Sequence, residues 1–193
     1  MSYYLRILGL ENKTINHKVI LNSSRLIGNI SIDNRDMDNW ESITIHSKKG
    51  KDVAIVERNI VEKDSLGQDE IDEFLQEIQD CKPDSAVKWL SDYLIKIKVI
   101  YAINVLSAAY TEDNWDIISG LQQAIWNQIG GILQADNEGF SNEDGYHILW
   151  QFEDNVTGDW NMAILNSKGS WERFTMDLGN LDHRKLFKEG KRI

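Results

Sequence analysis

The residues best suited to chemistry lie in and just after an acidic, glycine-containing segment from Gln134 to Gly145. Its carboxylates and the histidine that follows them are Asp136, Glu138, Glu143, Asp144 and His147. Hard divalent cations prefer clustered oxygen ligands, so the segment is a candidate calcium or magnesium site. The EF-hand register fails, because the glycines at 139 and 145 would put Gln134 or Phe140 at the first ligand position. We therefore interpret the segment as a solvated loop and predict no metal ion and no cofactor.

A carboxylate–histidine pair is the second chemistry open to this segment. Glu138 or Asp144 together with His147 has the composition of a general acid–base pair. His147 also alternates with core residues of a predicted strand, so its position has a structural explanation. Polar side chains rimmed by tryptophan would line a small-molecule or peptide pocket. The residues of this predicted pocket are Asp136, Glu138, Asp144, His147, Trp150, Trp160 and Arg173, with Gln151 and Asn161 beside them.

The sequence contains no known catalytic motif. We find no G-x-S-x-G, P-loop, G-x-G-x-x-G or H-E-x-x-H pattern. The four histidines, at positions 17, 46, 147 and 183, are too scattered for metal-ligand spacing. Cys81 follows a predicted helix, whose C-terminal dipole raises the pKa of a thiol. We predict no catalytic residue. A hydrolase that uses residues 136–147, either metal-dependent or built on a carboxylate and histidine, is the alternative function.

The clearest amphipathic helix is predicted over residues 68–80, with apolar residues at helical spacing on one side. Its other side is acidic. The carboxylates of this predicted partner-binding face are Asp69, Asp72, Glu73, Glu77 and Asp80. Like charges four residues apart cost about 0.2–0.5 kcal/mol per pair, and Asp80 opposes the helix dipole. A face that lowers stability indicates a basic partner, either the chain's own basic C-terminal segment, residues 183–192, or another protein.

Composition and charge restrict the classes of partner. The chain has 193 residues with 21 Lys and Arg against 31 Asp and Glu, which gives a net charge of −10. That charge disfavours nucleic acid and anionic membranes as partners. A single cysteine allows no intrachain disulfide, and the apolar run at the N-terminus is too short for a signal peptide. The longest apolar stretch, residues 99–110, is too short to span a bilayer. We expect a cytoplasmic protein.

The elements that must position these residues follow from periodicity. An alternating run at residues 3–8, ended near Gly9, predicts a first strand, and residues 41–47 and 52–61 predict a hairpin. Residues 11–39 are predicted to be irregular, with short strands at 19–21 and 26–32 as an open alternative. A second helix carrying residues 87–93, capped by Asp84 or Ser85, precedes a strand over 95–105. One continuous helix over 85–109 is the competing interpretation.

The core is predicted between residues 114 and 177, which hold five of the seven tryptophans. A helix over 115–129, capped by Asp113 or Asn114, is apolar around more than half its circumference, which predicts burial on most sides. Gly130-Gly131 ends this helix, and a short strand is predicted at 132–133. A meander of three strands, at 146–152, 160–164 and 171–177, follows. A short basic helix is predicted at 182–189.

Together these elements predict an α+β fold, with a mixed, mainly antiparallel sheet and helices packed on one face. We expect a single domain over residues 1–193, with a subdivision into 1–84 and 85–193 as the alternative. Without a catalytic motif and with an acidic helix face, the sequence favours a non-catalytic binding or regulatory protein. Its specific form would be an immunity-like protein that neutralises a basic partner. The oligomeric state is not predicted.

Overall fold

The structure, a computed structural model, describes residues 3–33 and 38–193, and for Glu112 and Asp113 it describes the backbone alone. The architecture is α+β, as predicted, with 31% helix and 32% strand. The chain divides into two compact units that alternate along the sequence. Unit 1 comprises Met1–Gln68 and Ile97–Gly131, and unit 2 comprises Asp69–Lys96 and Ile132–Ile193. The single domain and its alternative subdivision stay predictions.

Unit 1 is an antiparallel sheet with two helices. Its strands are β1 (Tyr3–Gly9), β2 (Ile27–Ile32), β3 (Ser42–Ser47), β4 (Asp52–Ile60) and β5 (Val99–Val105). Its helices are α1 (His17–Leu21) and α4 (Glu112–Ile129), and a 3₁₀ turn lies at Ser107–Ala109. Within the unit the strand order is β2-β3-β4-β5-β1. Every adjacent pair is antiparallel.

β5 lies between β4 and β1, and its sequence explains that position. Six of its seven residues are buried, as the sequence predicts for a strand covered on both sides. Helix α4 packs against β1, β4 and β5. It ends at Gly130, and Gly131 then takes φ +79°. A Cβ at Gly131 would lie 2.0 Å from the Leu8 carbonyl oxygen, so only glycine permits this approach of the chain to β1.

Several predictions for unit 1 are confirmed. Strand β1, the β3–β4 hairpin with Gly50 at φ +73° and helix α4 all form. The strand predicted over 95–105 forms as β5 from Val99 onward, and residues 95–98 are not part of it. The alternative strand at 26–32 also forms as β2, whereas residues 19–21 belong to helix α1. The Asn16 side chain caps α1 by accepting a hydrogen bond from the Lys18 amide, a signal not used in the prediction. Residues 34–37 of the predicted irregular segment lie outside the described residues.

Helix α4 differs from its prediction in burial and in its cap. Its fully buried residues, Ile117, Ile118, Leu121 and Ile125, lie on one side, and Trp115 is 37% exposed. Apolar residues on a helix need not all be buried, so burial on most sides is wrong here. The N-cap is Thr111, while Asn114 donates to the Ala108 carbonyl oxygen instead of capping. The side chain of Asp113, the other predicted cap, lies outside the described residues.

Unit 2 combines helices with two hairpins. Its helices are α2 (Leu66–Glu77, which starts in unit 1), α3 (Asp84–Leu94) and α5 (Leu181–Lys188), with a 3₁₀ turn at Ile78–Asp80. Its strands are β6 (Ile132–Ala135), β7 (Gly139–Ser141), β8 (Asp159–Leu165) and β9 (Trp171–Asp177). β6 pairs antiparallel with β7, and β8 pairs antiparallel with β9. No helix among the described residues is long and apolar enough to cross a membrane.

Helices α2, α3 and α5 form as predicted, although α2 ends at Glu77, three residues before its predicted limit. The 3₁₀ turn completes the predicted 68–80 helix, and α3 starts directly after Pro83, which is its N-cap in place of Asp84 or Ser85. Helix α3 ends at Leu94, so a continuous helix over 85–109 is wrong. Trp89 of α3 contacts Trp171 of β9 edge-on, with ring centroids 5.1 Å apart.

The predicted loop and the first strand of the meander are both wrong. Residues 134–145 form the tight β6–β7 hairpin and a turn, in which Asn142 Oδ1 accepts from the amides of Asp144 and Tyr146. Residues 146–152 make only isolated bridges, His147 to Ser141 and Met162 and Trp150 to Lys82. Residues 147–150 are all buried, so their apolar pattern reflects burial of consecutive side chains and not strand alternation.

Candidate functional site

The acidic face of α2 and its 3₁₀ turn is open to solvent along its whole length. Gln76, which lies within the face, is exposed. The carboxylate residues of the face are exposed as well: Asp69, Asp72, Glu73, Glu77 and Asp80. At 100° per residue these positions fall within an arc of about 140°. Ile71, Phe74 and Ile78, which are buried, lie on the opposite side. The face is about 17 Å long, because each of the eleven steps from Asp69 to Asp80 rises about 1.5 Å.

The electrostatics of this face are uniformly negative. Residues 66–80 contain no lysine and no arginine. In the described part of the chain, Asp69, Glu73, Glu77 and Asp80 form no ion pair. Cys81, which follows the face, reports the same field: burial raises the pKa of its thiol, and the charges of Glu77 and Asp80 raise it further. A cation that approaches Asp69, Glu73, Glu77 or Asp80 therefore meets a carboxylate that no basic side chain of the described chain pairs.

The basic helix α5 does not neutralise the acidic face. Arg184 is buried, and its guanidinium donates to three backbone carbonyl oxygens, those of Leu178, Asp154 and Val156. Lys191 pairs with Glu189 at 2.7 Å. Among the described residues, no ion pair joins α2 to Lys185, Lys188 or Arg192. Of the two predicted partners, the chain's own C-terminal segment is thus not in contact with this face.

The structure divides the residues of the predicted pocket among several contacts within unit 2. Asp144 forms an ion pair with Arg173, whose guanidinium lies 5.1 Å from the centre of the Tyr146 ring. The Trp150 ring instead packs under two cations of α5, Arg184 at 5.3 Å and Lys188 at 5.0 Å. Asp136 and Glu138 are half-buried beside the β6–β7 turn. The pairing of Asp144 with Arg173 holds the 142–145 turn to β9 and leaves its carboxylate engaged.

His147 lies inside unit 2, 2% exposed, with its ring against Phe152 at 4.6 Å and Trp160 at 5.6 Å. Burial lowers its pKa to about 4, and backbone groups of Leu149 and Glu138 oppose that shift only in part. Its Nδ1 lies 3.5 Å from the Ser141 hydroxyl, and its Nε2 makes no hydrogen bond. No carboxylate of the described residues bonds to the imidazole, so the predicted Glu138 or Asp144 pair with His147 is not assembled.

No group of three or more His, Cys, Asp or Glu side chains within the described ranges could hold a metal ion. Glu143, the fourth carboxylate of the acidic segment, accepts a hydrogen bond from the Tyr93 hydroxyl at 2.8 Å. Burial is the larger cause of the raised pKa of Tyr93, and the hydrogen bond to Glu143 raises it further. The hydrolase alternative stays a prediction, with no structural observation in its favour.

Sequence reasoning missed two buried charged residues. One is Arg184 of α5, and the other is Arg58 of β4, which is 7% exposed. It lies on the same face of the strand as Ala54 and Val56, which are both buried. A residue two positions from another along a strand points to the same side, so the sequence places Arg58 on the face of Ala54 and Val56 but does not show that this face is covered. Searches of protein-family models, curated protein sequences and solved structures found no match to this chain.

Proposed function

We propose that this chain is a non-catalytic binding protein whose acidic α2 face docks on a basic surface of another protein. The observation that carries the proposal is the row of exposed carboxylates on Asp69, Glu73, Glu77 and Asp80, which no cation of the described chain pairs. Like charges at this spacing together cost about 1 kcal/mol of helix stability. A docked basic surface would convert that cost into binding free energy.

The dimensions of the face limit the partner. The face is about 17 Å long, which is roughly three helical turns. This length matches a basic helix or a patch of four or five Lys and Arg side chains. Charge complementarity of this kind raises the association rate and makes binding strongly salt-dependent. An immunity-like protein that neutralises a basic partner is the specific form we favour. We place this interaction in the cytoplasm, since a chain with one cysteine gains nothing from an oxidising compartment.

The test is capture followed by charge reversal. Wild-type protein and the double variant Glu73→Lys with Glu77→Lys are immobilised and exposed to cell extract at low and at high salt. Quantitative mass spectrometry then identifies the retained proteins. We expect a basic protein that binds the wild type, is released by salt, and binds the reversed variant about 10-fold or more weakly when affinity is measured by calorimetry.

A matched control separates the face from total charge. Glu11→Lys with Glu153→Lys changes the net charge by the same amount at two exposed sites outside α2. This control should bind like the wild type, and circular dichroism should show that all variants are folded. The proposal fails if the α2 reversal and the control retain the same basic proteins with equal affinity.

A further inference from the structure

A cavity of about 260 Å³ lies in unit 1 where strand β4 is followed by the start of helix α2. Its walls are formed by Asn39, Glu41, Arg58, Asn59, Ile60, Ser65, Leu66 and Gly67. Ligand pockets in proteins span about 300–1,000 Å³, so this volume suits a small metabolite and not a nucleotide. The polar groups in its wall indicate which chemical class would bind.

Arg58 brings a buried positive charge to this wall. Its Nη2 donates to Asn12 Oδ1 at 2.7 Å, and the guanidinium lies beside the hydroxyl of Tyr101, its cross-strand neighbour in β5. Its Nε, fully enclosed, makes no hydrogen bond. The guanidinium forms no ion pair with any described residue. A buried charge without a counter-ion is costly, and an apolar residue would pack in the same place without that cost. An arginine at this position is explained if an anion in the cavity balances its charge.

The start of helix α2 supplies the second group of donors. Ser65 caps the helix, its hydroxyl accepting from the Gln68 amide at 3.2 Å. The amides of Leu66 and Gly67 donate to no other described residue, as expected for the first helical positions. A Cβ at Gly67 would lie 2.5 Å from the Ile60 carbonyl oxygen, so glycine keeps the backbone close to β4. These free N–H groups and the helix dipole both favour a negative charge in the cavity.

We infer that this cavity binds the oxyanion of a small molecule, held by the Arg58 guanidinium and the Leu66 and Gly67 amides. The exposed carboxylate of Glu41 is also in the wall and limits the charge that the cavity accepts. One cation opposed by one carboxylate suits a singly charged carboxylate or phosphate group, and disfavours a polyphosphate. This site is independent of the acidic α2 face.

The probes are inorganic phosphate and acetate, titrated separately into ¹⁵N-labelled protein at constant ionic strength with chloride as the reference anion. We expect saturable shifts of the Leu66 and Gly67 amide signals. Saturation by phosphate alone assigns the site to phosphate groups, and saturation by acetate alone assigns it to carboxylates. If neither anion moves these signals beyond the chloride reference, the inference is overturned.

Two pairs of variants test the donors. Arg58→Met should weaken anion binding about 10-fold or more, whereas Arg25→Met, an exposed arginine of the same unit, should not. Leu66→Pro removes one amide donor at the helix position where proline is well tolerated, and Leu66→Ala keeps that amide. We expect about 10-fold weaker binding for Leu66→Pro alone, a readout that survives if Arg58→Met fails to fold. If both members of each pair bind the anion with equal affinity, the inference is overturned and Arg58 only holds Asn12.

Discussion

The buried imidazole of His147 makes the stability of unit 2 depend on pH, with a predictable sign and size. Its pKa falls from 6.5 in the unfolded chain to about 4 in the folded protein, because burial penalises the imidazolium. Between these values the unfolded state binds a proton that the folded state does not, so stability rises with pH. The contribution is fully present above pH 6.5 and is lost as the pH falls towards 4.

The size follows from the same two pKa values. A difference of about 2.5 pKa units is worth about 3 kcal/mol when both states have reached their limits. Between about pH 7.5 and about pH 4.5 the expected loss from His147 alone is about 2.5 kcal/mol. Carboxylates also titrate over this range, so the loss from His147 must be isolated by comparison with a variant.

The assay is urea denaturation of the wild type and His147→Gln at several pH values, followed by tryptophan fluorescence and by circular dichroism. Coincident transitions would justify a two-state treatment. We expect His147→Gln to be less stable at neutral pH but to lose about 2.5 kcal/mol less than the wild type on acidification. The reasoning is refuted if His147→Gln keeps the wild-type pH dependence, or if an NMR titration finds the pKa of His147 near 6.5.

Three further outcomes are expected from urea or thermal denaturation. Glu73→Lys should stabilise the isolated protein by about 0.5–1 kcal/mol at low salt, since it removes like-charge pairs on α2, whereas the exposed Glu153→Lys should have less effect; a loss of stability would contradict the account of the acidic face. Gly131→Ala should cost more than about 2 kcal/mol because its Cβ would meet a carbonyl oxygen, while Gly50→Ala, with open space around it, should cost about 1 kcal/mol; equal costs would refute the contact. Arg184→Met should cost about 3 kcal/mol or more, since it leaves three carbonyl oxygens without their donor; a neutral substitution would show that water replaces the guanidinium.

The regular elements could be predicted because their signals are local. Strand β1 has an alternating pattern, and the two strands of the β3–β4 hairpin alternate on either side of a glycine turn. Helix α2 carries its apolar residues at helical spacing. Residues 146–152 were wrongly predicted to form a strand because alternation and continuous burial produce similar patterns in a short apolar run. The acidic segment appeared loop-like because glycine and asparagine occur equally in the tight turn of a hairpin.

The candidate sites also differ in how far the sequence could predict them. The acidic face of α2 was predictable, since exposure on a helix follows from the position of the apolar stripe. The surroundings of His147 were not, because they depend on contacts between residues that are distant in sequence. The buried charge of Arg58 stayed unnoticed for a related reason: strand periodicity assigns a residue to a face but does not say which face the sheet covers.

The position of Cys81 gives the protein a built-in reporter. The thiolate is the nucleophilic form of cysteine; burial raises the pKa of the Cys81 thiol most, and the carboxylates of Glu77 and Asp80 raise it further. Cations that screen those carboxylates will increase the thiolate fraction, so alkylation by an uncharged reagent should accelerate as salt is added. A short lysine-rich peptide that settles on α2 should accelerate it at much lower concentrations. Because this is the single cysteine of the chain, reaction kinetics at one sulfur atom can follow occupancy without any engineered label.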